Sequence, residues 1–158
     1  MKFFQFIHCI FIVSSVVSCG NSPNESRFTS SDTQIQRDVT RVPESLKKGE
    51  QEYAKYCLTC HQADGNGVRG QFPPLAGNQT ITGPADSLVK IVLLGLQGPI
   101  EVNGQTQNYS QIMPAQDYLT DDQIADVLTY IRNSWGNKAP EVKPGLVAKI
   151  RNENKIKQ

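Results

Sequence analysis

The apolar positions of this 158-residue chain change rhythm several times along its length. Residues 3–17 form a nearly continuous apolar stretch, interrupted by Gln5, His8, Ser14 and Ser15 and preceded by Lys2. It is shorter than the run of about 20 residues a membrane-spanning helix needs, and reads as an export signal over residues 1–18. Residues 20–43 show neither a helical nor a strand period, only Ser, Thr, Asn and scattered charges, and read as a tether. A flexible coil of that length would span about 25–30 Å.

Helical spacing then begins. A first helix starting near Pro43 places Leu46, Gly49, Tyr53 and Cys57 on one face. A second starts near Pro84 and carries Leu88, Val89, Ile91, Val92 and Leu93 to a stop at Gly95. A third opens on a capping box, Thr120-Asp121-Asp122-Gln123, stapled by Leu119 and Ile124. Its core positions are Ile124, Val127, Leu128, Ile131 and Trp135, ahead of Gly136. Between the second and third helices, Pro99 to Gly104 predicts a short hairpin on an Asn103-Gly104 turn. The expected folded unit is residues 44–137, all-α apart from that hairpin, followed by a tail at 138–158 that holds Pro140 and Pro144. No internal repeat or second domain is visible.

Chemistry is concentrated in Cys57-Leu58-Thr59-Cys60-His61. Two cysteines three positions apart share one face of a helical turn, and Cys-x-x-Cys-His reads as a site for covalent attachment of one haem c, with His61 beneath the iron. A thioredoxin-like dithiol would need a βαβ pattern, and a zinc site a second ligand pair. The sequence offers neither, since Cys9 and Cys19 lie in the leader region. Val16-Val17-Ser18-Cys19-Gly20 resembles a bacterial lipobox, in which Cys19 becomes the lipidated first residue of an exported lipoprotein facing the periplasm. Gly20 rather than Asp after it favours the outer membrane where one exists. The alternative is a plain signal peptide in which Cys19 is incidental. With His8 removed, His61 is the single histidine of the mature chain, so bis-histidine ligation from within it is excluded.

The mature chain also holds one methionine, Met113, in Ile112-Met113-Pro114-Ala115. A lone methionine is more often core filler than a ligand. A haem with a vacant axial position changes that balance, and the proline after it extends the backbone there. Met113 is therefore expected as the second axial ligand of the iron, a soft ligation that favours the ferrous state and closes the metal to small molecules.

These residues together resemble a class I cytochrome c over nearly all of 44–137. The resemblance implies a small helical fold wrapped around one covalent haem, with three to five helices and a short hairpin before the methionine loop. It implies that Gly49 and Tyr53 pack against Val127 and Tyr130 of the last helix. It further implies that the Pro73 carbonyl accepts the Nδ1–H of His61, orienting the ligand and making it more basic, and that Leu75 packs on the haem. The run from Met113 is similar to cytochrome subunits serving dehydrogenases or copper-containing reductases. The function implied is electron transfer rather than enzymatic catalysis, through brief encounters with donor and acceptor proteins. Two alternatives stay open: a haem-based gas or peroxide sensor in which Met113 dissociates, and an obligate subunit of a larger respiratory complex rather than a monomer.

Other signals are weaker. Gly65-Asn66-Gly67-Val68-Arg69-Gly70 fits G-x-G-x-x-G, yet no strand precedes it and no helix follows, so it reads as a tight turn and not a nucleotide loop. Trp135 reads as helix packing, with the haem edge as its alternative. Residues 44–137 hold six Lys/Arg against ten Asp/Glu, whereas 138–158 hold six against two. The basic tail is expected either to be merely solvated or to steer the domain to an acidic partner or anionic headgroups. Nothing suggests nucleic-acid binding. Haem would supply much of the buried apolar surface of so small a core. The Cys57→Ala/Cys60→Ala chain, prepared without haem, is expected to melt broadly rather than cooperatively, as circular dichroism can check.

Overall fold

The computed structural model describes residues 44–155, so the export signal, Cys19 and the tether lie outside the described residues. Helix α1 covers residues 44–56 and turns at Cys57 into the single-turn helix α2, Leu58–His61. A long loop leads to α3, Gln79–Thr82, a one-turn helix that the sequence pattern did not announce. The Asn78 side chain caps it by accepting from Thr80 N–H. Helix α4, Ala85–Leu94, begins after Pro84 and stops at Gly95, whose φ of +77° is open to glycine. Strands β1, Ile100–Val102, and β2, Gln105–Gln107, pair antiparallel with Ile100 opposite Gln107. Asn103 and Gly104, at φ +52° and +77°, supply the two left-handed residues this two-residue turn requires.

Helix α5, Asp121–Ile131, is the centre of the fold. Both arms of its capping box are made: Gln123 N–H donates to the Thr120 hydroxyl, and Thr120 N–H donates to the Gln123 side chain. Ile124, Val127, Leu128 and Ile131 are buried in one core with Leu88, Val89, Val92 and Leu93 of α4. Gly49 of α1 crosses this helix so closely that a Cβ would lie 2.1 Å from the Asp126 carbonyl oxygen and 2.6 Å from Tyr130 Cβ. The α1 contact uses Asp126 and Tyr130, and the Tyr53 ring meets that of Tyr130 at 5.5 Å as expected, while Val127 lines the cavity. Trp135 also departs from expectation. The helix ends at Ile131, and Trp135 stands beyond it at φ +52°.

The expected tail is largely part of the fold. Helix α6, Pro144–Glu153, packs on α4 and α5, with Val142, Val147 and Ile150 fully buried. Pro144 occupies the first turn, where its missing N–H removes nothing. Val142 N–H donates to the buried Thr129 hydroxyl at 3.0 Å. Arg151 is buried, donating to Asp121 at 2.8 Å and to the carbonyls of Asp117 and Leu119. Lys143 pairs with Glu141, and Lys149 with Glu153. Glu141 and Glu153 belong to 138–158 itself, so among these pairs only Arg151 with Asp121 draws on that segment's positive excess. A prolyl, lysine-rich composition hid this helix because its buried stripe is only three or four residues wide.

Among the described residues, no helix is long and apolar enough to cross a membrane. Ending the chain after Ala139 strips Val142, Val147 and Ile150 from the core, at about 1.5–3 kcal/mol each. That total rivals the stability of a typical small domain, roughly 5–15 kcal/mol. The truncated protein is expected to lose more than half of its resistance to guanidinium, whereas Lys149→Ala is expected to leave it unchanged.

Candidate cofactor site

The last turn of α1 delivers Cys57, whose N–H donates to the Tyr53 carbonyl at 2.9 Å. The next turn closes on the same residue, since His61 N–H donates to the Cys57 carbonyl at 2.9 Å. Cys57, Cys60 and His61 thereby reach the wall of one cavity. Burial, reinforced by Cys60 and Glu52, pushes the Cys57 thiol up to about 12, so it stays protonated at neutral pH. Burial also pushes His61 below the usual imidazole value, against the opposing pull of the Pro73 carbonyl. His61 Nδ1 lies 3.0 Å from the Pro73 oxygen, and a carbonyl can only accept, so Nδ1 carries the proton. The neutral ring keeps its Nε2 lone pair for a metal.

The loop after His61 is held from behind. Tyr53 Oη donates to the Gln62 carbonyl at 2.6 Å, and Trp135 Nε1 donates to the Ala63 carbonyl at 3.0 Å. Trp135 lies flat against Gly65 and meets Tyr53 and Tyr130 at ring distances of 5.1 and 5.7 Å. It lines neither wall of the cofactor cavity and so belongs to packing. Gly67, at φ +63°, donates its N–H to the His61 carbonyl, and a Cβ on it would lie 2.6 Å from the Pro73 oxygen. The glycine run therefore brings the Pro73 carbonyl beside His61. Leu75 and Ala76 N–H groups then donate to the Gly65 carbonyl, returning the chain across the cavity.

Met113 arrives from the opposite side of the fold. It exchanges two backbone hydrogen bonds of 3.0 Å with Leu96, just after α4. Gly95 allows this approach, because a Cβ there would lie 2.6 Å from the Met113 carbonyl oxygen. Gln116 N–H donates to the Val92 carbonyl and fastens the far end of the loop. Cys57, His61, Pro73 and Met113 border a cavity of about 370 Å³ together with Leu75, Leu88, Val92 and Val127. A smaller space of about 100 Å³ adjoins it beside Cys60 and Ile112. Glu101 is the one charged side chain in the larger wall, and the smaller wall has none. Two thiols, a neutral imidazole and a thioether around an apolar slot suit a haem: soft donors for its iron and dry walls for its macrocycle.

Every site residue expected from the sequence within the described region lies at this cavity: Cys57, Cys60, His61, Pro73, Leu75 and Met113. Asn137 was missed. Its buried amide donates to the carbonyls of Leu75 and Ile131 and accepts from Gly77 N–H, so it anchors the loop at Leu75 to the end of α5. A single asparagine after a glycine carries no sequence signal of that role.

Residues 46–135 match the family model described as cytochrome c. The chain belongs to the cytochrome c family. It is accordingly an electron carrier, and membership implies covalently bound haem c. The chain is 41% identical over 93 residues to cytochrome c-552 of Thermus thermophilus, covering 56% of this chain and 69% of that protein. It is also 41% identical over 93 residues to the cytochrome c subunit of alcohol dehydrogenase (quinone) from Gluconacetobacter polyoxogenes, covering 58% of this chain. The fructose dehydrogenase cytochrome subunit of Gluconobacter japonicus is 34% identical over 108 residues, covering 63% of this chain. The matches span only 19% and 21% of those two dehydrogenase subunits.

Gly95 and Gly98 both have positive φ, but Gly98 faces open space. Gly98→Ala should lose about 1 kcal/mol from its backbone alone. Gly95→Ala should lose a further 1–3 kcal/mol by pressing on the Met113 strand, a difference that denaturant unfolding of the two holoproteins can measure.

Proposed function

We propose that this cytochrome c is a membrane-tethered monohaem carrier whose iron is held by His61 and Met113. Cys57 and Cys60 would form the thioether links, and the chain's lone Cys-x-x-Cys-His run supports a count of one haem. The observation that carries the reading is that His61 and Met113, distant in sequence, border one apolar cavity. Bound haem supplies the one-electron ferrous–ferric couple. The protein supports that exchange by holding still. The Pro73 carbonyl orients His61 and raises its donor strength, and the paired Leu96 and Met113 backbones hold the thioether in place. Apolar walls keep water away, so that little has to reorganise when charge changes.

Lipidation at Cys19 and export of the mature chain accompany this reading, supported by the lipobox-like Val16 to Gly20. The tether would then let the domain sample partners near the membrane, the outer one where two exist. The related subunits of the alcohol and fructose dehydrogenases support a dehydrogenase as one redox partner. Whether the chain acts as a free monomer or as a subunit follows from that partner.

The visible spectrum of the reduced protein is expected to be unchanged by carbon monoxide. Met113→Ala should bind the gas and show a lowered reduction potential, since thioether ligation raises it. A wild-type spectrum that shifts with carbon monoxide would instead favour the sensor alternative. Cys19→Ser is expected to move the holoprotein from the membrane to the soluble fraction of fractionated cells. Recovery of both forms in the membrane would remove the lipid anchor from the proposal.

A further inference from the structure

The turn that follows α5 is built against local preference. Asn137 N–H donates to the Ser134 carbonyl at 2.9 Å and closes it, and its two central residues are Trp135 at φ +52° and Gly136 at φ +85°. Glycine suits such a position. A tryptophan there is uncommon, and points to what its side chain gains by the conformation.

Two side chains of this turn hold the loop that runs from His61 to Gly77. Trp135 Nε1 donates to the Ala63 carbonyl at 3.0 Å, two residues beyond His61. Asn137 Nδ2 donates to the Leu75 carbonyl at 3.0 Å, two residues beyond Pro73, and its Oδ1 accepts from Gly77 N–H at 3.0 Å. The indole also supports Gly65, where a Cβ would lie 2.6 Å from the ring. The Gly65 carbonyl in turn accepts from Leu75 and Ala76 N–H, so the two arms of the loop meet over Trp135. Between the arms, His61 Nδ1–H donates to the Pro73 carbonyl at 3.0 Å. Pro73 and Pro74 have no N–H, so the backbone on either side of that carbonyl lacks donors of its own to fix it. Its position is set from the flanks.

We propose that Trp135 and Asn137 are positioning residues for His61: they grip the two ends of the His61–Pro73 hydrogen bond and thereby set the donor strength of the imidazole and the reduction potential. The inference rests on the reading of His61 as an axial ligand and adds the residues that tune it. Neither side chain lines the cavity, so both act through the loop. A firm bond draws the Nδ1 proton toward the carbonyl, makes Nε2 more basic and favours ferric iron. Releasing either grip lets the carbonyl drift and weakens that donation. The ferrous state then gains and the potential rises.

The test uses the full-length holoprotein in detergent micelles. Redox titration reads the potential, and NMR of the ferrous protein reads deuterium exchange at His61 Nδ1–H. Trp135→Phe keeps an aromatic ring and removes the indole N–H, and Asn137→Ala removes the amide. At a fixed ambient potential, Trp135→Phe should raise the ferrous-to-ferric ratio at least about threefold and Asn137→Ala about tenfold. A tenfold change is about 59 mV for one electron. Exchange should quicken at least about tenfold in both variants. Asn133→Ala is the comparison, because that amide lies at the same end of α5 but donates to the Thr129 and Ala139 carbonyls. It should leave the potential and the exchange at their wild-type values. Unchanged readouts in Trp135→Phe overturn the proposal, whether or not Asn137→Ala folds, and so does a potential that falls. An Asn133→Ala variant that moves both readouts as far also overturns it, since loosening the helix end then suffices. Carbon monoxide binding by the wild type would defeat the Met113 reading and leave the His61 comparison intact. Unchanged readouts in variants of a wild type inert to carbon monoxide would remove this inference alone.

Discussion

The fold depends on one geometric demand: two short segments far apart in the chain must face each other across an apolar slot. The residues after α1 bring Cys57, Cys60 and His61 to the cavity, and the segment bridged to Leu96 brings Met113 to it. Neither segment has regular structure long enough to hold itself. Each is positioned by backbone hydrogen bonds to a neighbour: His61 through the Pro73 carbonyl, and Met113 through Leu96. Glycines at 67 and 95 mark where these approaches are closest, because a Cβ at either point would overlap the partner's backbone.

Polar side chains hold the outer layer in register with this slot. Asn137, Arg132 and Arg151 are all buried, and each donates to two or more backbone carbonyls. Arg132 donates to the carbonyls of Ile81, Gly83 and Pro140, tying α3 and the approach to α6 onto the end of α5. Burial lowers its affinity for the proton only from a very high starting value, so it stays charged. Replacing such a residue with an apolar one would orphan several carbonyls together, a larger loss than one hydrogen bond suggests. The slot is apolar and the shell polar, a division that lets the cavity stay dry while the loops around it stay fixed.

Electron transfer needs a site that changes charge without changing shape. At the cavity of this carrier the His61 ring has its proton committed to Pro73, and the Met113 backbone is fastened to Leu96 by an isolated bridge, so both side chains sit on fixed backbone beside a dry wall. Among the described residues the C-terminal segment also serves the fold. The segment after 137, expected as a solvated tail, covers the far side of α4 and α5 with Val142, Val147 and Ile150. A domain whose interior is partly given over to a cofactor has fewer side chains left to seal its outer faces, and α6 closes one of them.

Local chemistry was legible in the sequence because local physics decides it. The motif at 57–61, the capping box at Thr120, the stop at Gly95 and the Asn103-Gly104 turn each depend on neighbours within a few residues. That Met113 shares a cavity with His61 was expected for a different reason: residues 19–158 hold one methionine and one histidine. What only the tertiary structure decided are relations between distant segments. Which residues of α5 meet Gly49, where Trp135 turns, what Asn137 holds and whether α6 docks all depend on long-range packing. Weak local patterns cannot anticipate that packing: Val147, Ile150 and Arg151 make a stripe too narrow to read as a buried face until α4 and α5 are set against it.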